Sequence, residues 1–102
     1  MTESYVYAIS DGTSIKIGVA KNPLQRIKTL STGNAKKLIL LGFFSGGFKL
    51  EKEIHNSYQK VRENGEWIIP TPELITYLNE KISDKFIVLA DGRISSYLKI
   101  VN

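Results

Sequence analysis

The chain has no cysteine and only one histidine, one methionine, one tryptophan and three prolines among its 102 residues. The missing cysteine excludes disulfides, zinc–thiolate centres and thiol catalysis. No apolar run approaches the roughly 20 residues needed to cross a bilayer, so no membrane partner is expected. The opening Met1-Thr2-Glu3-Ser4 lacks the basic-then-apolar pattern of a secretion signal, and cytoplasmic residence is the expectation. Low-complexity tracts and internal repeats are also missing. What remains is ordinary globular composition, 42% hydrophobic and 24% charged. At this length one domain over 1–102 is expected, with a real but modest core.

Charge is scarce in one direction only. The formal net charge is +4. Residues 1–62 hold ten Lys/Arg against four Asp/Glu, and residues 63–102 hold four against six. The basic excess therefore lies in the first two thirds, where a polyanion would be drawn. A solvated basic surface explains the same numbers equally well.

Tyr5-Val6-Tyr7-Ala8-Ile9 and Ile15-Lys16-Ile17-Gly18-Val19, separated by Asp11-Gly12, predict a β-hairpin over 4–20. Asn22-Pro23 predicts a helix start. That helix should run to about Ser31 with Leu24, Ile27 and Leu30 buried. The apolar run Leu38–Phe44 reads as a central strand covered on both faces. After Gly46-Gly47, a helix is expected from Phe48 to about Arg62, with Leu50, Ile54, Tyr58 and Val61 as its apolar stripe. Glu66–Ile69 is a short extended piece. Thr71-Pro72 opens a last helix burying Leu74, Ile75, Leu78 and Ile82. Residues 86–101 read as a second hairpin, which must dock on the body or pair with another chain. The expected class is α/β (α+β): a small three-stranded antiparallel sheet flanked by helices, plus the C-terminal hairpin.

Several of these residues together resemble the GIY-YIG nuclease superfamily. Tyr5-Val6-Tyr7 and Lys16-Ile17-Gly18 stand where that family has its two name-giving triplets. Arg26 follows eight residues after Gly18, as the family's Arg does. Glu51 lies in Leu50-Glu51-Lys52-Glu53-Ile54-His55, where the family has its metal-binding carboxylate. Gly65-Glu66-Trp67 matches a short branch, found in many phage-encoded and stand-alone proteins, in which Lys-Ile-Gly replaces Tyr-Ile-Gly. The resemblance covers roughly residues 5–69; the family's late Asn has no secure counterpart, Asn64 being one candidate.

The resemblance implies a DNA endonuclease with a single Mg²⁺ or Mn²⁺. Glu51 would be the metal ligand, since Mg²⁺ often takes one or two carboxylates plus water and phosphate. Arg26 would clamp phosphate through its planar guanidinium. Tyr7 would be the general base, with Lys16 as the cation that brings its phenol into range. His55, four residues after Glu51, shares its helix face and is a further catalytic candidate. Tyr5, Gly18 and Glu66 would line the substrate. Lys21, Lys28 and Arg62, with Lys36, Lys37, Lys49, Lys52 and Lys60, could hold a nucleic-acid backbone. A bland reading stands beside each: Tyr7 and Trp67 as core aromatics, Glu51 and Arg26 as solvated helix residues, His55 as a structural histidine, Gly18 as a β-bulge.

The partner implied is double-stranded DNA, with specificity left to a second copy of the chain or another protein. Two other classes compete. One is a nucleic-acid-binding module without cleavage; the other is a protein-interaction domain that uses the second hairpin.

Overall fold

The computed structural model describes residues 3–32, 37–58, 62–64, 66–82, 86–88 and 94–96, with backbone alone in 62–64, 86–88 and 94–96. Strands β1 (Tyr5–Ser10) and β2 (Ile15–Ala20) form the first hairpin. Its turn is held by the Asp11 carboxylate, which accepts from the backbone N–H of Thr13 and Ser14 at 3.0 and 2.8 Å. Gly12 sits at φ +104°, a conformation that side chains with a Cβ rarely adopt.

Helix α1 (Pro23–Ser31) begins as expected, with the Asn22 side chain accepting from Gln25 N–H at 3.1 Å. Asn22→Ala should lower stability by about 1 kcal/mol, measured by urea unfolding; an unchanged midpoint would show that the cap contributes nothing. The expected burial of Leu24 is corrected, because it is 61% exposed. The true stripe is Pro23, Ile27 and Leu30. That i, i+4, i+7 spacing stays on one helix face, whereas i, i+3, i+6 drifts off it.

Strand β3 (Ile39–Ser45) follows, then α2 (Phe48–Ser57), β4 (Arg62–Asn64), β5 (Trp67–Ile68) and α3 (Pro72–Lys81). Two short strands, β6 (Phe86–Val88) and β7 (Ile94–Ser96), pair antiparallel in a separate hairpin. The body is α+β, but the main sheet has five strands in the order β3-β1-β2-β5-β4, not three. All its pairings are antiparallel. The run 38–44 is not a central strand: β3 is a sheet edge, and β1 takes an inner place. Side chains from both β3 faces still pack, Leu41 and Phe44 into one layer and Leu40 into the other, which explains the apolar sequence. β7 lies against β3, so the hairpin docks on the body.

Helix α2 stops at Ser57, short of the expected Arg62. In its last turn Ser57 Oγ donates back to Glu53 O at 2.9 Å, and Tyr58 N–H closes the helix on Ile54 O. The chain then re-enters the sheet as β4, so Arg62 and Asn64 lie on a strand. Val61 and Gly65, and the candidate cations Lys36 and Lys60, lie outside the described residues.

Alternation along β1 divides the core. Val6 and Ala8 face a layer with Ile54 of α2 and Leu74 and Leu78 of α3, beside Ile82, which caps α3. Tyr7 and Ile9 face the other layer, with Leu38 and the α1 residues Ile27 and Leu30. The sheet thus lies between α1 and the α2–α3 pair. Among the described residues, no helix is long and apolar enough to cross a membrane.

Candidate active site

The site forms where β5 is too short to cover β2. β5 pairs Trp67 with Lys16 and Ile68 with Ile15, and goes no further. Just beyond, Ile17 N–H donates to Glu66 O at 3.2 Å. The Ile17 carbonyl is taken instead by His55 Nε2 of α2, at 3.0 Å. A carbonyl can only accept, so Nε2 carries the proton in this bond. His55 is 8% exposed, and its Nδ1 is buried with no hydrogen-bond partner among the described residues. The single histidine therefore pins α2 to β2 through the Ile17 carbonyl.

One helical turn before His55 lies Glu51. Both side chains line a cavity of about 430 Å³ together with Phe48, Lys52, Asn56 and Glu66. Burial raises the Glu51 carboxyl above its ordinary range, and the Glu66 charge adds to the rise; His55 and Lys16 oppose it. Lys16 itself pairs with Glu66 at 2.8 Å and lies 5.8 Å from the centre of the Trp67 ring. Its ammonium thus has a carboxylate partner, where sequence reasoning had assigned it to Tyr7.

Tyr7 is 1% exposed, and its ring packs in the α1 layer. Its register partner is Gly18. A Cβ on Gly18 would collide with the phenol oxygen and ring. Gly18 is therefore what allows the tyrosine to lie flat across β2. Gly18 follows Ile17 in the strand, but the phenol belongs to the α1 layer and His55 to α2, on the other side of the sheet.

Arg26 is exposed on α1, the helix that covers the Tyr7 face, and Lys21 and Lys28 are exposed with it. No side-chain hydrogen bond or ion pair joins Arg26 to Tyr7 or Glu51 among the described residues. Tyr5 is partly engaged already: its hydroxyl donates to Glu3 at 2.6 Å, which raises its pKa, and its ring meets Phe43 edge-on at 5.4 Å. Lys37, Lys49 and Lys52 are exposed. The structure thus gathers Glu51, His55, Glu66 and Lys16, keeps Tyr7 over Gly18 in the α1 layer, and leaves Arg26 exposed on α1. Phe48 escaped sequence reasoning. The available signal was its place at a helix start, outside the apolar stripe and three residues before Glu51.

The residues at Glu51 fit a hard divalent cation in one way only. No group of three His, Cys, Asp or Glu side chains among the described residues is arranged to hold an ion. Glu51 does have a half-buried carboxylate whose negative charge is disfavoured, facing an open cavity and without an ion pair among the described residues. A cation there would relieve that cost, and Mg²⁺ tolerates one carboxylate with water filling the remaining positions.

The family model of the T5orf172 domain matches residues 4–83. No curated protein matches the chain. No solved structure matches it.

Proposed function

We infer function from one premise: the chain belongs to the T5orf172 domain family, a nuclease-related domain family. The reading proposed is a metal-dependent endonuclease of the GIY-YIG type that hydrolyses phosphodiester bonds of DNA. The observation that carries it is the Glu51 carboxylate, half-buried and disfavoured as an anion, in a cavity shared with His55 and Glu66. The resemblance in the sequence adds Tyr7, Gly18 and Arg26 at matching positions.

In this reading Glu51 holds Mg²⁺ or Mn²⁺. The ion supplies Lewis acidity toward the phosphate and its leaving oxygen. Tyr7, as the phenolate, takes a proton from the attacking water at the phenol oxygen that lies over Gly18 and becomes the neutral phenol. Arg26 donates paired hydrogen bonds to phosphate oxygens. His55 fixes the helix that carries Glu51, and Lys16 lowers the cost of its charge. Lys21, Lys28 and Arg62 hold the backbone, which gives salt-dependent affinity and little sequence choice.

Two tests follow. Supercoiled plasmid should be nicked with Mg²⁺ and left intact with chelator, and Glu51→Ala should remove the nicking; nicking that survives chelation overturns the reading. Binding without nicking would favour a module that keeps the fold without cleavage. Lys16→Met should move the acid limb of the pH–rate profile upward. Lys16 pulls the Glu51 carboxyl down, so its loss lets the group stay protonated to higher pH. An unmoved acid limb separates Lys16 from Glu51.

A further inference from the structure

Phe48 is the most exposed large apolar residue among those described, at 76%. It is the first residue of α2, directly after the N-cap Gly47. It also lines the Glu51 cavity, together with Lys52 and His55. Residues three and four apart on a helix are surface neighbours. Phe48 and Lys52 therefore flank Glu51 along one helix: an aromatic face, a carboxylate and an ammonium within two turns.

We propose that Phe48 is a stacking platform for an unpaired nucleobase next to the phosphate held at Glu51, so that the site takes DNA with single-stranded or distorted character. This rests on the nucleic-acid reading above and extends it to a substrate class. The sugar–phosphate repeat places a base close beside each phosphate, and Lys52 offers charge to the flanking phosphate. A base paired and stacked within a duplex has no free face to offer. An unstacked base does, and any base will serve, because each has a π-face. The platform thus selects DNA by structure and not by sequence.

The experiment is fluorescence anisotropy in chelator, so that no cleavage intervenes. A labelled oligothymidylate and a labelled duplex of equal length are titrated with the wild type, Phe48→Ala and Phe48→Trp. The wild type should prefer the single strand. Phe48→Ala should weaken single-strand binding on the order of tenfold and leave duplex binding unchanged, while Phe48→Trp should restore or strengthen it. Equal single-strand affinity of Phe48→Ala and wild type overturns the proposal. So does an equal loss on both probes. A wild type that prefers duplex, yet nicks plasmid in a Glu51-dependent way, overturns the proposal and leaves the nuclease reading standing. A wild type that binds neither probe overturns the proposal, and the plasmid assay then decides the nuclease reading by itself.

Discussion

Tyr7→Phe is expected to leave the melting temperature nearly unchanged and to slow plasmid nicking by roughly 10²- to 10⁴-fold, the usual weight of a general base. The two readings of Tyr7 separate here. As a core aromatic it contributes through its ring, which packs with Ile9 and Leu38 and which phenylalanine keeps. As a base it acts through its oxygen, which phenylalanine lacks. No hydrogen bond to that oxygen exists among the described residues, so little stability is lost with it. Gly18→Ala is the companion. Its methyl would collide with the phenol oxygen and must displace the ring. Overpacking of this kind costs about 1–3 kcal/mol, and each kcal/mol shifts the melting temperature of a chain this size by about 4–8 °C. Gly18→Ala should therefore lose both stability and nicking, and Tyr7→Phe nicking alone. Wild-type nicking by Tyr7→Phe would reduce Tyr7 to packing.

Glu51→Gln should melt higher than the wild type at neutral pH while losing metal-dependent nicking by on the order of 10³-fold, equivalent to about 4 kcal/mol of transition-state stabilisation. Burial and Glu66 hold the folded-state pKa of Glu51 above its unfolded value. Such a group favours the fold most when protonated. That contribution is fully present below the unfolded-state pKa of about 4.3 and disappears as pH rises through the folded-state pKa. The melting advantage of Glu51→Gln should therefore be seen at pH 7 and vanish at pH 3–4. Saturating Mg²⁺ should raise the wild-type melting temperature and leave the variant unmoved. Differential scanning fluorimetry across pH, with and without Mg²⁺, gives all three results. A variant that melts lower at pH 7 would mean that Glu51 is a stabilising surface carboxylate and not one held at a cost for function.

The signals that survived into the structure were local ones. Asn22-Pro23, Asp11-Gly12 and Thr71-Pro72 each act over three or four residues, and each stands where expected. The pairing of β1 with β2 was legible for the same reason. Long-range information was not. The apolar run 38–44 cannot say whether a strand is inner or edge, because helices can cover both faces of an edge strand as well. β4 was invisible, since three residues with a mixed charge pattern carry no period, and Val61 extended a helical stripe that the chain abandons at Tyr58.

The site divides along the same line. The residue identities came from the resemblance to the GIY-YIG pattern, and the shared helix face of Glu51 and His55 from their spacing. That His55 grips the Ile17 carbonyl depends on β5 beginning only at Trp67, opposite Lys16, a fact of sheet register. That Lys16 turns to Glu66 depends on a strand pairing that no motif encodes. Phe48 shows the converse: its exposure became meaningful only when the cavity beside Glu51 was in view.

Paramagnetic broadening by Mn²⁺ tests the central claim most directly, because it locates the cation without reference to turnover. In an amide-resolved NMR titration, the signals of Gly18, Glu51, His55 and Glu66 should broaden first, and Glu51→Gln should abolish the effect. Broadening centred instead on the α3 carboxylates Glu73 and Glu80, and unchanged in Glu51→Gln, would contradict it.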